Sequence, residues 1–127
     1  MKHGLHDITL DGSAVIFRAR GAFNMDGVKD YEKEFVQLVS PLIGKTWGIV
    51  NLYPEFETGG PEVIERIKSQ YLWCIANGCK YIGFHGTNPL HSYFAKKTTD
   101  EIGFKDVRIF AAEDEVIAWM HEQLLKL

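Results

Sequence analysis

Three apolar runs of strand length, TWGIVNLY (46–53), KYIGFHG (80–86) and KDVRIFAA (105–112), are separated by segments whose apolar residues recur every three or four positions. Few folds accommodate this alternation. A strand needs a helix-length crossover to return parallel to its predecessor, so the pattern requires an α/β architecture, a mostly parallel sheet packed against helices. Val28, Tyr31, Phe35, Leu38 and Leu42 mark the first helical face, with Asn24 or Asp26 as its cap and Pro41 and Gly44 at its end. Val63/Ile64, Ile67, Tyr71 and Cys74/Ile75 mark the second, with Pro61 at its first position and Asn77-Gly78 as its stop. A third helix is expected from about Leu90 to a Gly103 cap. A fourth opens on Glu113, Asp114 and Glu115, which complement the helix dipole, and shows Ile117, Met120 and Leu124 on one face.

Upstream, Asp11-Gly12 sits between two strand-like runs in ITLDGSAVIFRARGAF, and Asp-Gly favours a hairpin because it accepts positive φ. The expected order is ββαβαβαβα, one α/β domain over residues 1–127 with a mixed, mostly parallel sheet and an N-terminal antiparallel hairpin. No internal repeat or linker-like stretch divides it.

Composition excludes several classes of function. The formal net charge is −3, so there is no basic field to draw in nucleic acid or an anionic membrane. No run reaches the roughly 20 apolar residues of a membrane span, and MKHGLHDITL has no signal-peptide core, so a cytoplasmic protein is expected. Cys74 and Cys79, separated as CIANGC, match neither a disulfide framework nor the C-x2-C redox and zinc spacings, which leaves two reduced, buried thiols. His85 and His91 stand six positions apart without a supporting Cys or carboxylate, which is no zinc pattern, so no metal is expected. Nor does the chain contain G-x-G-x-x-G, a P-loop or G-x-S-x-G, and no cofactor is expected. Trp47, Trp73 and Trp119, with Tyr31 and Tyr71, read mainly as core.

The stretch EFETGGPEVIER (55–66) raises the question of an anion site, because Gly-rich loops feeding helix N-termini hold phosphates. Its charge argues otherwise. A phosphate here, bound or attached to Thr58, would meet Glu55, Glu57 and Glu62, and like-charge repulsion offsets a dipole gain of about 0.3–1 kcal/mol. The stretch reads as a turn leading to Pro61. A turn can still line a site, since loops at the carboxyl ends of parallel strands form the usual crevice of open α/β sheets. Two such loops are expected, PEFETGGP with Tyr53, Phe56, Gly59 and Gly60, and HGTNPLH with Gly86, Thr87 and Asn88.

RGAFNMDGVKDYEKEFVQLVSPLIGKTWGIVNL, YLWCIANGCKYIGF and AAEDEVIAWM, together with the element order, resemble a SpoIIAA-like or STAS-type domain over nearly the whole chain. The resemblance implies a mixed sheet with packed helices, a fold shared by anti-sigma factor antagonists, transporter cytoplasmic domains and relatives of the SEC14 lipid-binding group. It implies binding rather than catalysis. Anti-sigma factor antagonists carry a phosphorylated Asp-Ser pair in the loop after the third strand; here that loop has no serine, and Thr58 is the only hydroxyl between Tyr53 and Arg66, hence the only regulatory candidate.

The leading expectation is a non-enzymatic regulatory or protein-interaction module, with a protein partner at the strand-end loops and the second helix's exposed face, Glu65 and Lys68 included. The alternative is a carrier or sensor of a small apolar, lipid-like ligand, and a third reading is a small enzyme with a site near His85. Exposed strand edges and aromatic surface make a homodimer the expected oligomer.

Overall fold

The computed structural model describes residues 5–126 and, within them, the side chains of all but residues 5, 22–23 and 53–59. Strands β1 (Leu5–Asp11) and β2 (Ala14–Phe23) form the opening hairpin, followed by helix α1 (Met25–Val39) and a short 3-10 turn. Then come β3 (Trp47–Gly59), α2 (Pro61–Ala76), β4 (Cys79–His85), α3 (Pro89–Thr99), β5 (Asp106–Phe110) and α4 (Glu113–Leu125). The sheet has the order β1-β2-β3-β4-β5; only β1 and β2 are antiparallel. The expected α/β class and mixed sheet are what the chain forms.

Local chemistry explains the boundaries. Gly12 adopts φ +63° at the hairpin turn, a conformation costly for residues with a Cβ. Asn24, rather than Asp26, caps α1, its Oδ1 accepting from Gly27 N at 3.0 Å. Helix α3 stops at Thr99, short of Gly103, because the chain leaves the helix at Asp100 and turns through Glu101 at φ 63°.

Helices α1, α2 and α3 cover one face over a core that includes Phe17, Tyr31, Phe35, Trp47, Ile49, Tyr71 and Phe84. Helix α4 covers the other alone, its Val116 and Met120 packing with Ile16, Val50, Leu52 and Tyr81. It lies close because two strand positions lack side chains. A Cβ on Gly48 would stand 2.3 Å from Met120 Sδ, and one on Gly83 2.5 Å from Val116 Cγ2.

The main departure from the sequence reading concerns β3. The expected loop PEFETGGP is strand through Gly59, its Glu55–Gly59 paired in parallel with Arg20–Phe23 of β2. Pro54 fits because the register jumps there: Arg18 opposes Leu52 and Arg20 opposes Glu55, so Tyr53 and Pro54 together face one residue of β2. A bulge tolerates the N–H that proline lacks.

Candidate functional site

The carboxyl ends of β3 and β4 bring together the starts of α2 and α3. Of the expected contact residues, Tyr53, Phe56, Thr58 and Gly59 lie on β3, so Thr58 and its neighbours are strand rather than turn. Their side chains are outside the described residues. Gly60 caps α2 through its backbone, with Pro61 at the first helical position. The Glu62 carboxylate folds over this start, so near that a Cβ on Gly60 would lie 2.9 Å from Oε1. A carboxylate already occupying the positive end of the dipole leaves little attraction for an external anion. Glu65 and Lys68 stand one turn on, paired at 3.8 Å.

The β4–α3 loop is held by its own polar groups. Gly86 N donates to Phe110 O at 3.0 Å, Thr87 N donates to His91 Nδ1 at 3.1 Å, and Asn88 Oδ1 accepts from His91 N at 3.0 Å. His91, considered above only as a metal ligand, is buried and acts as the loop's internal anchor. Thr87 and Asn88 remain exposed at its tip. Directly after them α3 presents two large side chains one turn apart, Leu90 and Tyr93, 55% and 54% exposed. Lys97 Nζ lies 5.7 Å from the Tyr93 ring centre, a further turn along the same stripe. Sequence reasoning missed this pair; its signal was Leu90 at the second helical position and Tyr93 three residues on, a stripe beside the face that Phe94, Ala95 and Thr98 bury.

A second feature lies inside. A cavity of about 30 Å³ lies between the sheet and α1, α2 and α3, lined by Phe17, Ile49, Phe35 and Ile67 among others. Its polar groups are paired across it: Tyr31 OH donates to Gln70 Oε1, and Asn51 Nδ2 donates to Tyr71 OH at 3.4 Å. Burial raises both phenols well above their ordinary 10.0, and neighbouring acidic groups push them further, against smaller opposing effects of Arg66 on Tyr31 and of the Asn51 hydrogen bond on Tyr71. All four groups are therefore neutral at physiological pH. Above the cavity, Arg66 clasps Glu32 through two nitrogens at 2.9 Å and ties α2 to α1.

Among the described residues, reactive groups do not converge. Cys74 and Cys79 are free and buried, and burial raises both thiols well above their ordinary 9.0, which suppresses the thiolate a nucleophile needs. His85 Nδ1 is buried without a hydrogen-bond partner, and among the described residues no nucleophile or carboxylate is bonded to its ring. No group of three or more metal-ligating side chains occurs among the described residues. No described helix is long and apolar enough to cross a membrane.

No protein-family model matches the sequence, and no curated protein does. Among solved structures, the chain is similar to an uncharacterised DUF3478-family protein with a SpoIIAA-like fold from Shewanella loihica, at TM-score 0.66 and 12% identity. The match covers 94% of this chain and 95% of that one. At that identity the likeness speaks to architecture, and it agrees with the strand order, the hairpin and the helices seen here: the chain has the SpoIIAA-like, STAS-type fold.

Proposed function

We propose that this protein is a non-catalytic regulatory module that binds another protein through the carboxyl-end surface where α2 and α3 begin. One observation carries the reading: Leu90 and Tyr93 are both more than half exposed beside a loop rigidified by its own hydrogen bonds. Covering such side chains gains about 25 cal/mol per Å² of apolar surface, and a preordered loop has less freedom to lose on docking. Tyrosine is a frequent anchor in protein interfaces. Glu65 and Lys68 on α2 supply a charged rim. Work in the cytoplasm suits the two free thiols.

The test is quantitative co-purification from the source cells using wild type, Leu90→Asp, Tyr93→Glu and Glu65→Lys, each checked for folding by circular dichroism. One protein enriched with wild type should be lost with the first two variants and weakened with the third. Equal recovery with all four would overturn the proposal.

A second reading has its own observation, the cavity with its four neutral polar groups among apolar walls. It suits a small, mainly apolar ligand. At about 30 Å³ it holds one or two waters, whereas pockets for drug-sized ligands begin near 300 Å³, so α1 and α2 would have to part. Native and denaturing mass spectra of protein from source cells decide this: added mass lost on denaturation supports the ligand, and bare chain in both spectra rejects it.

A further inference from the structure

β5 is the outermost strand of the sheet, and its free edge is well suited to pairing. Its carbonyl at Phe110 accepts from Gly86 N, beside β4. Strand alternation then turns the backbone groups of Asp106 and Arg108 towards β4 and those of Val107 and Ile109 outward. On the α3 face Val107 and Ile109 are 36% and 43% exposed and line an open groove with Ala95, Lys96 and Thr99. On the α4 face half-buried Asp106 and exposed Arg108 form a pair at 3.3 Å. β5 is short and carries Asp106 and Arg108, but it has neither a proline nor a bulge to turn its edge away from a partner.

The geometry points to a second copy of this chain as the occupant, its β5 paired antiparallel with this one about a two-fold axis through Val107. Charge register selects this pairing. A two-fold axis normal to the sheet sets Val107 against Val107, Asp106 against Arg108 of the second copy, and Arg108 against its Asp106. Both charge pairs are attractive, and the two outward-facing valine backbones bond to each other. Moving the axis one residue either way sets Asp106 against Asp106 or Arg108 against Arg108, like charges directly opposite, which is unfavourable. The sequence of β5 thus favours one symmetric register over its neighbours. The interface is isologous, and it leaves the Leu90–Tyr93 surface to another partner.

Charge swapping tests this without knowledge of any partner. Wild type, Asp106→Arg, Arg108→Asp and the double swap are compared by sedimentation velocity over the micromolar range, with circular dichroism to verify folding. Wild type should sediment at twice the 14.5 kDa chain mass. Each single variant should dimerise roughly tenfold or more weakly, because two pairs turn repulsive at once. The double swap should dimerise like wild type. An equimolar mixture of the two single variants should also dimerise, since every charge then faces its opposite. A monomeric wild type, a single variant as dimeric as wild type, or a mixture that stays monomeric would overturn the proposal.

Discussion

Asn88 Oδ1 accepts a 3.0 Å hydrogen bond from the backbone N–H of His91, while the His91 ring accepts one from Thr87 N at 3.1 Å. The loop that the sequence offers as a ligand contact is thus a helix cap locked onto a buried imidazole. The cap fixes the start of α3, the helix that carries the exposed Leu90 and Tyr93. Asn88→Ala should lower stability by about 1 kcal/mol in urea unfolding, and Asn88→Ser should recover most of that. Partner recovery with Asn88→Ser should equal wild type. Loss of binding without loss of stability would instead make Asn88 a direct contact.

The buried pair Tyr31–Gln70 couples α1 to α2. Tyr31→Phe removes the donor and leaves a buried amide oxygen unsatisfied, which costs about 1–3 kcal/mol. Adding Gln70→Met removes the orphan, so the double variant should be less destabilised than the two single losses added together. Denaturant unfolding of the four proteins measures the coupling, and strict additivity would contradict it.

Gly83 admits α4 to the sheet, since a Cβ there would fall 2.5 Å from Val116 Cγ2 and 3.0 Å from Trp119 Cζ3. Gly83→Ala should destabilise by about 1–3 kcal/mol through overpacking, with a change in tryptophan fluorescence as Trp119 shifts. Val116→Ala in the same chain should relieve part of the cost. A neutral Gly83→Ala would mean that α4 packs less closely than described.

Four buried acids have raised affinities for their protons: Cys74, Cys79, Tyr31 and Tyr71. Each stays protonated in the folded chain at a pH where the unfolded chain has begun to ionise. Above the ordinary thiol value of 9.0 the unfolded state holds fewer protons, so stability falls as pH rises. Urea midpoints should be level between neutrality and the thiol value, then decline, more steeply above the ordinary phenol value of 10.0. Both thiols should resist alkylation until the chain unfolds. A midpoint that rises above the thiol value would contradict the burial of these groups.

The fold was legible where one physical signal dominated: period-three-to-four apolar faces for α1 and α2, Asp11-Gly12 for the hairpin, and Asn77-Gly78 as the stop of α2, where Gly78 adopts φ +106°. β3 looks short in the sequence because Pro54 and Thr-Gly-Gly are turn residues by composition, while a bulge in the β2–β3 register absorbs the proline. The end of α3 is not legible in the sequence because Gly103 resembles a cap, yet Asp100 and Glu101 turn the chain first. Asn51 and Gln70 went unremarked. A lone amide within the apolar run GIVNLY was the available signal, but only tertiary packing brings Asn51 to Tyr71 and Gln70 to Tyr31. Exposure of Leu90 and Tyr93 depends likewise on how α3 sits on the sheet, which periodicity alone does not define.

The central claim is that the start of α3 is where a partner protein docks. The most direct measurement is photo-crosslinking in the source cells, with a benzophenone amino acid at position 93 and, as control, at position 122 on exposed α4. The account predicts one dominant protein adduct at 93 and none at 122. No adduct at 93, or the same adducts at both positions, would contradict it.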